Sequence, residues 1–456
     1  MSMTKVGVIF SVLPSQVPLW PYKGYDYERR ANELLRLLKD NLPEMEFVHA
    51  LVQDIKAIDN VLSSIGDVDG YVVWLLSSNN AVPWAIVQKG KPTILIDDLY
   101  AGTGSFMYVY SKVIRGHYPV VGVASSKLND AFNAIKLLKV LNRLKMSNIV
   151  MVKDFDVSLS TVSETINVQE LGWSPKQIKE TIEKLKKFFG VNVLIIDSEE
   201  LRKEYESVDT GEAVLWRDRW MEKAKQIIEP NKEEILKSAK MYLAMKKLMK
   251  RYNANVITID CISLFYVKRL PAYPCLGYMQ LLDEGLIGTC EADLDSAFTQ
   301  LVISYLTGRP GFISDPVIDQ SADQIIYAHC VSPTKLLGKT GTIRAPYRIR
   351  SHAEDRAGAS VQVLWPVGEI VTTVKFNILE RKMSIHTGTI VGNVEDEKGC
   401  RTKVAVKTNV STLLKNWNKF GNFGWHRVTV LGNWRRDFIN LAKLMKFDIV
   451  EEDMPQ

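Results

Sequence analysis

The chain has 456 residues, 46% hydrophobic and 24% charged, with 58 Lys and Arg against 52 Asp and Glu for a net charge of +6. That length exceeds one ordinary core and predicts two to four domains of a globular protein. The basic excess is small and alternates with acids along stretches such as 179–184, which argues against nucleic acid as a partner, and no run reaches the roughly 18 apolar residues of a membrane span.

Residues 1–146 read as an N-terminal α/β domain. Strands are predicted at 6–10, 46–52, 70–76, 93–97 and 120–124, with helices at 27–39 and 129–144, giving a parallel, doubly wound sheet. No GxGxxG follows the first strand, so a dinucleotide is not expected. The loop Ser77-Ser78-Asn79-Asn80 reads either as a hydrogen-bonding edge for a hydroxylated ligand or as an ordinary helix-starting turn. A central α/β domain, 147–338, opens on the strand 148–152. It continues through 191–196, a long helical stretch at 212–252, and strands at 256–260 and 325–328. From 339 to 456 the strands become short and alternating, at 342–344, 359–364, 370–376, 383–391, 402–407 and 427–431. Separated by Gly, Pro, Asn or Asp, they predict an antiparallel β-barrel or sandwich closed by a helix at 435–446.

Two acids in the middle third stand out. Glu291 lies in Thr289-Cys290-Glu291-Ala292-Asp293 and Asp315 in Phe312-Ile313-Ser314-Asp315-Pro316, both in apolar, strand-like context. An amphipathic helix, 294–307, runs between them and Gly308-Arg309-Pro310 ends it. The pattern is strand, acid, helix, turn, strand, acid. In an open α/β sheet, ligands sit at the carboxyl ends of strands, so two acids at two such ends can converge on one cation or one substrate. A carboxylate in such surroundings is expensive unless paired or bound to a metal. Asp293 and Asp295 read as N-terminal helix charges favoured by the macrodipole.

Of six histidines, His49, His117 and His386 have no suggestive context, whereas His329, His352 and His426 can each face a shared cleft. His352 belongs to a polar, Gly-containing loop that also carries Glu354. Cys290 reads as a small core residue, because a neighbouring carboxylate raises a thiol pKa. The five cysteines are odd in number and show no CxxC spacing, so neither a zinc ribbon nor a disulfide framework is expected. The start shows no signal-peptide pattern, and the expected compartment is the reducing cytoplasm.

The block Tyr273-Pro274-Cys275-Leu276, Leu282-Asp283-Glu284-Gly285, Cys290-Glu291-Ala292-Asp293, Gly308-Arg309-Pro310, Asp315 and His329-Cys330 resembles the central domain of L-fucose isomerase and its relatives. These belong to the L-arabinose isomerase-like superfamily of metal-dependent aldose–ketose isomerases. The similarity continues through Arg350-Ser351-His352, Gly358–Gln362 and Gly424-Trp425-His426-Arg427-Val428. It implies two α/β domains and a C-terminal barrel, with a divalent metal, typically Mn²⁺, held by a glutamate, an aspartate and a histidine. These map to Glu291, Asp315 and His426, and His329 competes with His426 because relatives often carry His-His where this chain has Trp425-His426. Mg²⁺, Co²⁺ and Zn²⁺ are alternative metals. The resemblance further implies Glu291 and Asp315 as catalytic carboxylates and a sugar substrate handled through an enediol. His329, His352, Glu354 and Trp425 are candidate substrate contacts. It also implies a homo-trimer or hexamer, in which Trp20, with Tyr22 and Lys23, is a candidate lid over a neighbouring subunit's site. A modified or charged sugar, or a non-catalytic sugar-binding protein, stays open as an alternative.

Overall fold

The computed structural model describes residues 3–158 and 174–455. The chain forms two compact units, residues 1–143 with 436–448 and residues 144–435 with 449–456. None of the described helices is long and apolar enough to cross a membrane.

The first unit is built on β1 (Thr4–Ser11), β2 (Met45–Val52), β3 (Gly70–Leu75), β4 (Thr93–Asp97) and β5 (Val120–Ala124), all parallel in the order β2-β1-β3-β4-β5. Every residue of β3 and β4 is buried, as strands covered on both faces require. The loop after β3 serves the fold. Asn79 donates to the Val12 and Gln53 carbonyls and accepts from the backbone N–H of Ala81 and Val82, so both ends of its amide are taken. Trp20 and Tyr22 lie in the loop after β1 with 56% and 60% of their surface exposed.

The second unit carries the remaining strands. Its first five are β6 (Asn148–Val152), β7 (Asn192–Ile196), β8 (Gln226–Ile227), β9 (Val256–Ile259) and β10 (Ile287–Cys290). Then come β11 (Phe312–Asp319), β12 (Gln324–His329), β13 (Tyr347–Arg350), β14 (Ser360–Val363), β15 (Ile370–Asn377), β16 (Lys382–Asn393), β17 (Thr402–Lys407), β18 (Arg427–Leu431) and β19 (Asp448–Glu451). A parallel sheet has the order β10-β9-β6-β7. The strands β15-β18-β11-β12-β17-β16 run antiparallel, and pairing of β15 with β16 closes them into a six-stranded barrel. The expected fold class, parallel α/β sheets followed by a C-terminal β-barrel, is the one observed.

Several elements depart from the sequence expectation. The stretch 212–252 is two helices, Thr210–Lys223 and Lys232–Arg251, because β8 and Pro230 interrupt it. Residues 342–344 form no strand, and β14 pairs with β13 in a separate sheet, β14-β13-β8, instead of joining the barrel. Most consequential, β11 is antiparallel to β12 and β18, so Asp315 stands on a barrel strand and not at the carboxyl end of a parallel one. The turn explains the switch. Gly308 caps the preceding helix at φ +68°, a conformation glycine adopts without strain, and Arg309 donates to the Leu431 carbonyl at the end of β18. The chain is thereby delivered to the barrel.

Helix Leu294–Thr307 is the joint within this unit, since it packs on β9 and β10 on one side and on β15 and β18 on the other. Phe298 meets Phe376 of β15 edge to face at 5.7 Å. Asp295 accepts from the Ile378 N–H and Thr299 Oγ1 from the Phe376 N–H, so the first turn is sewn to the barrel. The expectation that Asp295 is simply a macrodipole charge is corrected by this contact.

Strand β18, which packs on this helix, is anchored at its first residue by a buried ion pair. Arg427 and Glu452 are both fully buried, 2.8 Å apart, with Trp417 3.9 Å from the guanidinium and His386 Nδ1 2.9 Å from Glu452. Burial alone would raise the Glu452 pKa, but Arg427 and His386 outweigh it and push it down to about 2. Glu452→Gln is expected to destabilise the fold by about 3–5 kcal/mol at neutral pH, because it leaves a buried guanidinium uncompensated. The folded-state pKa lies below the ordinary one, so the advantage of wild type over this variant is present above about pH 4.5 and shrinks as pH falls toward 2. Denaturant unfolding of both proteins across that range checks it.

Candidate metal and catalytic site

Glu291 follows directly on β10. Gly288, two residues before the strand ends, is required by packing, since a Cβ there would stand 2.2 Å from the Tyr278 ring. Beyond Cys290 the backbone turns abruptly, with Glu291 at φ +62° and Ala292 at φ +53°. Two consecutive non-glycine residues in the left-handed region cost about 1–3 kcal/mol each, and such strain concentrates where a side chain must be aimed. The turn sends Glu291 toward the barrel and places Asp293 as N-cap of the next helix, accepting from the Ser296 N–H at 2.8 Å.

Three side chains from three strands meet there. His426, immediately before β18, puts Nε2 3.6 Å from Glu291 Oε2 and 3.4 Å from Asp315 Oδ1. His329, the last residue of β12, puts Nε2 3.8 Å from Glu291 Oε1. The donor atoms of Glu291, His329 and His426 all lie within 4.8 Å of one another. Donors around one octahedral ion at about 2.1 Å stand about 3 Å apart, so small adjustments would let Glu291, Asp315 and His426 Nε2 hold a divalent cation, with His329 beside it.

The two histidines differ in which nitrogen carries the proton. His426 Nδ1 lies 2.9 Å from Asp293 Oδ2, and an ionised carboxylate can only accept, so Nδ1 is the donor and Nε2 is the nitrogen that faces the two acids. His329 is reversed. Its Nδ1 accepts from the Cys330 backbone N–H at 3.0 Å, and burial together with His426 pushes its pKa down to about 3. The neutral ring therefore carries its proton on Nε2, as a hydrogen-bond donor facing Glu291. Metal-ligating histidines are held by a carboxylate or carbonyl on the far nitrogen, which is the arrangement of His426.

Asp293 is the residue whose weight the sequence reading missed. Beyond capping its helix, it accepts from Lys375 Nζ at 2.6 Å and from His426. Burial would raise its pKa, but Lys375 and His426 overcome that and hold it far below the carboxylate range. Glu291 behaves oppositely. Burial first, and then the charge of Asp315, push its carboxyl well above the ordinary value. Asp315 is also raised by burial, against the pull of His426 and Lys375. Two buried acids with raised proton affinity, set around one imidazole nitrogen, make a site that an added positive charge would stabilise.

The acids open on a cavity of about 790 Å³ in this unit, walled also by His329, His352, Glu354 and Trp425. His352 stacks on the Tyr273 ring at 4.0 Å, and its Nδ1 lies 3.1 Å from Glu354 Oε2 and 3.4 Å from Asp355 Oδ1. Burial would lower its pKa, but the negative groups at Cys330, Asp355 and Glu354 raise it to about 9, so it presents an imidazolium. Trp425 is 46% exposed and offers an aromatic face. The cavity is thus lined by the candidate site residues of the sequence analysis except His426, which is buried behind Glu291 and Asp315, and Trp20, which belongs to the first unit. Cys290 lines it too, with its thiol pKa raised first by burial.

No family model matches the chain. It is 22% identical over 357 residues to the sulfoquinovose isomerases of Priestia aryabhattai and Priestia megaterium, an overlap of 74% of this chain and 73% of theirs. On that similarity the chain is an isomerase, an intramolecular oxidoreductase. A solute-binding protein of an ABC transporter from Burkholderia multivorans is 14% identical, covering 68% of this chain and 95% of that one. Its TM-score of 0.19 carries no argument.

The tautomers set an expected order of effects. His426→Ala should weaken divalent-metal binding by at least about tenfold, Asp293→Asn should weaken it less, and His329→Ala should leave metal content near wild type. Metal analysis of the purified variants, with circular dichroism as the folding control, measures this. Greater loss in His329→Ala than in His426→Ala would reverse the two roles.

Proposed function

We propose that the chain is a metal-dependent aldose–ketose isomerase that acts on an open-chain sugar through an enediol. The observation that carries the reading is that Glu291 and Asp315 share the wall of one cavity and His426 Nε2 stands within 3.6 Å of both. Glu291, Asp315 and His426 would hold the cation, Mn²⁺ first, with Mg²⁺, Co²⁺ and Zn²⁺ as alternatives. When bound, the cation supplies Lewis acidity toward two neighbouring sugar oxygens.

The protein's own groups then account for the proton. Conversion of an aldose to a ketose removes the C2 proton and returns one to C1, while the hydroxyl proton on O2 is lost and one is gained on O1. Glu291 is suited to take and return the carbon-bound proton, because its surroundings favour the protonated carboxyl. His329 Nε2–H, fixed by the bond at Nδ1, is placed to donate to a substrate oxygen beside Glu291. The Trp425 face suits the C–H surface of a sugar, and His352 with Glu354 can hydrogen-bond hydroxyls further along the cavity.

The substrate reading taken first is a free aldose such as L-fucose or L-arabinose, from the sequence resemblance. A sulfonated aldose is the second, favoured by the activity named for the Priestia relatives. A single experiment addresses reaction and substrate. Protein with Mn²⁺ is incubated in D₂O with neutral aldoses and ketoses and with sulfoquinovose, and followed by NMR. Deuterium is expected at C1 or C2 of the accepted sugar, even where net conversion is small, and chelator should abolish it. Conversion without deuterium would replace the carboxylate base by a hydride shift. Binding without conversion or exchange across the panel would favour a sugar-binding protein instead.

A further inference from the structure

A second group of donors, two cysteines and Glu354, lies in the same cavity wall, apart from Glu291 and Asp315. Cys330 follows the last residue of β12, and Cys400 stands two residues before β17. These strands pair antiparallel, with His329 opposite Thr402, so the register brings the two segments that carry the cysteines together just beyond the last rung. Glu354 reaches them from the loop after β13. The two sulfurs and a Glu354 oxygen all lie within 4.8 Å of one another, and Cys400 Sγ is 3.4 Å from Glu354 Oε1. Both thiols are buried, and all three residues line the cavity.

The carboxylate is divided between two tasks. Oε1 faces Cys400, while Oε2 faces His352 Nδ1 at 3.1 Å, so the imidazole fixes the orientation of the carboxylate from the side away from the sulfurs. A carboxylate held in this way beside two thiols has no role in a disulfide, which needs the sulfurs alone. It completes the donor set of a thiophilic cation. Thiolate ligands select zinc and similar soft or borderline ions, whereas the Glu291, Asp315 and His426 set suits a harder one.

We propose that Cys330, Cys400 and Glu354 form a second metal site that takes one Zn²⁺-class cation, distinct from the carboxylate–histidine site. Binding displaces the two thiol protons to solvent and changes no oxidation state. Three protein ligands leave a fourth tetrahedral position, and since all three line the cavity that position is open to water or to a substrate hydroxyl. The ion would tie β12, β17 and the loop of His352 and Glu354 into one wall.

The experiment uses full-length protein, reduced, stripped with chelator and titrated with Co²⁺ as a spectroscopic substitute. Wild type is expected to develop an intense sulfur-to-cobalt charge-transfer band in the near ultraviolet that saturates at one equivalent. Cys330→Ser and Cys400→Ser should lose the band, and Glu354→Gln should bind at least about tenfold more weakly while keeping it. A Glu291→Gln, Asp315→Asn double variant should keep the full band, which separates this site from the catalytic one. Absence of the band in reduced wild type overturns the proposal, whatever the serine variants do. So does a band that persists undiminished in Cys400→Ser. A Cys330–Cys400 disulfide recovered from protein purified without reductant, with no band after reduction, would assign the pair to redox chemistry instead.

Discussion

The carboxylate of Asp293 accepts hydrogen bonds from the Ser296 N–H, Ser296 Oγ, Lys375 Nζ and His426 Nδ1, all within 2.9 Å. Those donors come from the first turn of the central helix, from β15 and from the segment entering β18. One buried anion therefore ties the end of the parallel sheet to two strands of the barrel. It is stabilised there because Lys375 is buried with it and the helix N-terminus faces it. Remove that charge and three things loosen together: the helix start, the seat of Lys375, and the orientation of His426.

The chemistry of the site follows from this constraint. With Nδ1 committed to Asp293, His426 has only Nε2 to offer, and that nitrogen faces Glu291 and Asp315. His329 stands 5.6 Å away, ring to ring, and is locked into the opposite tautomer by a backbone N–H. The two histidines are thus held in opposite senses, one through a donor Nδ1 and the other through an acceptor Nδ1, although both are buried. Burial raises the proton affinity of both Glu291 and Asp315, and the charge of Asp315 raises that of Glu291 further. A positive charge delivered between them relieves that repulsion.

Much of the fold was legible because its signals are local. The buried Val and Ile runs of β1, β3 and β4 read as parallel strands, and the Gly- and Asn-punctuated alternation after 339 read as a barrel. That Glu291 and Asp315 stand out as a pair was legible in the same way, from acids set in apolar strands, and both line one cavity. The sheet that holds Asp315 was not. Phe312-Ile313 looks like the start of any buried strand, and its partners at 427–429 lie more than a hundred residues on. The choice between His426 and His329 was closed to sequence reasoning for a related reason: it depends on an Asp293 bond spanning 133 residues against a backbone bond to the next residue. Asp293 itself was hidden by a correct but incomplete reading, since it does cap its helix. The pairing of Cys330 with Cys400 emerges only from the register of β12 on β17.

The central claim is that acids from two different sheets and the Nε2 of His426 share one cation, and Mn²⁺-soaked crystals test it most directly through anomalous scattering. The account predicts one manganese peak bonded by Glu291, Asp315 and His426 Nε2, with His426 Nδ1 still on Asp293 and His329 outside the coordination sphere. A peak bonded by His329 in place of His426, or one lacking either carboxylate, would contradict it.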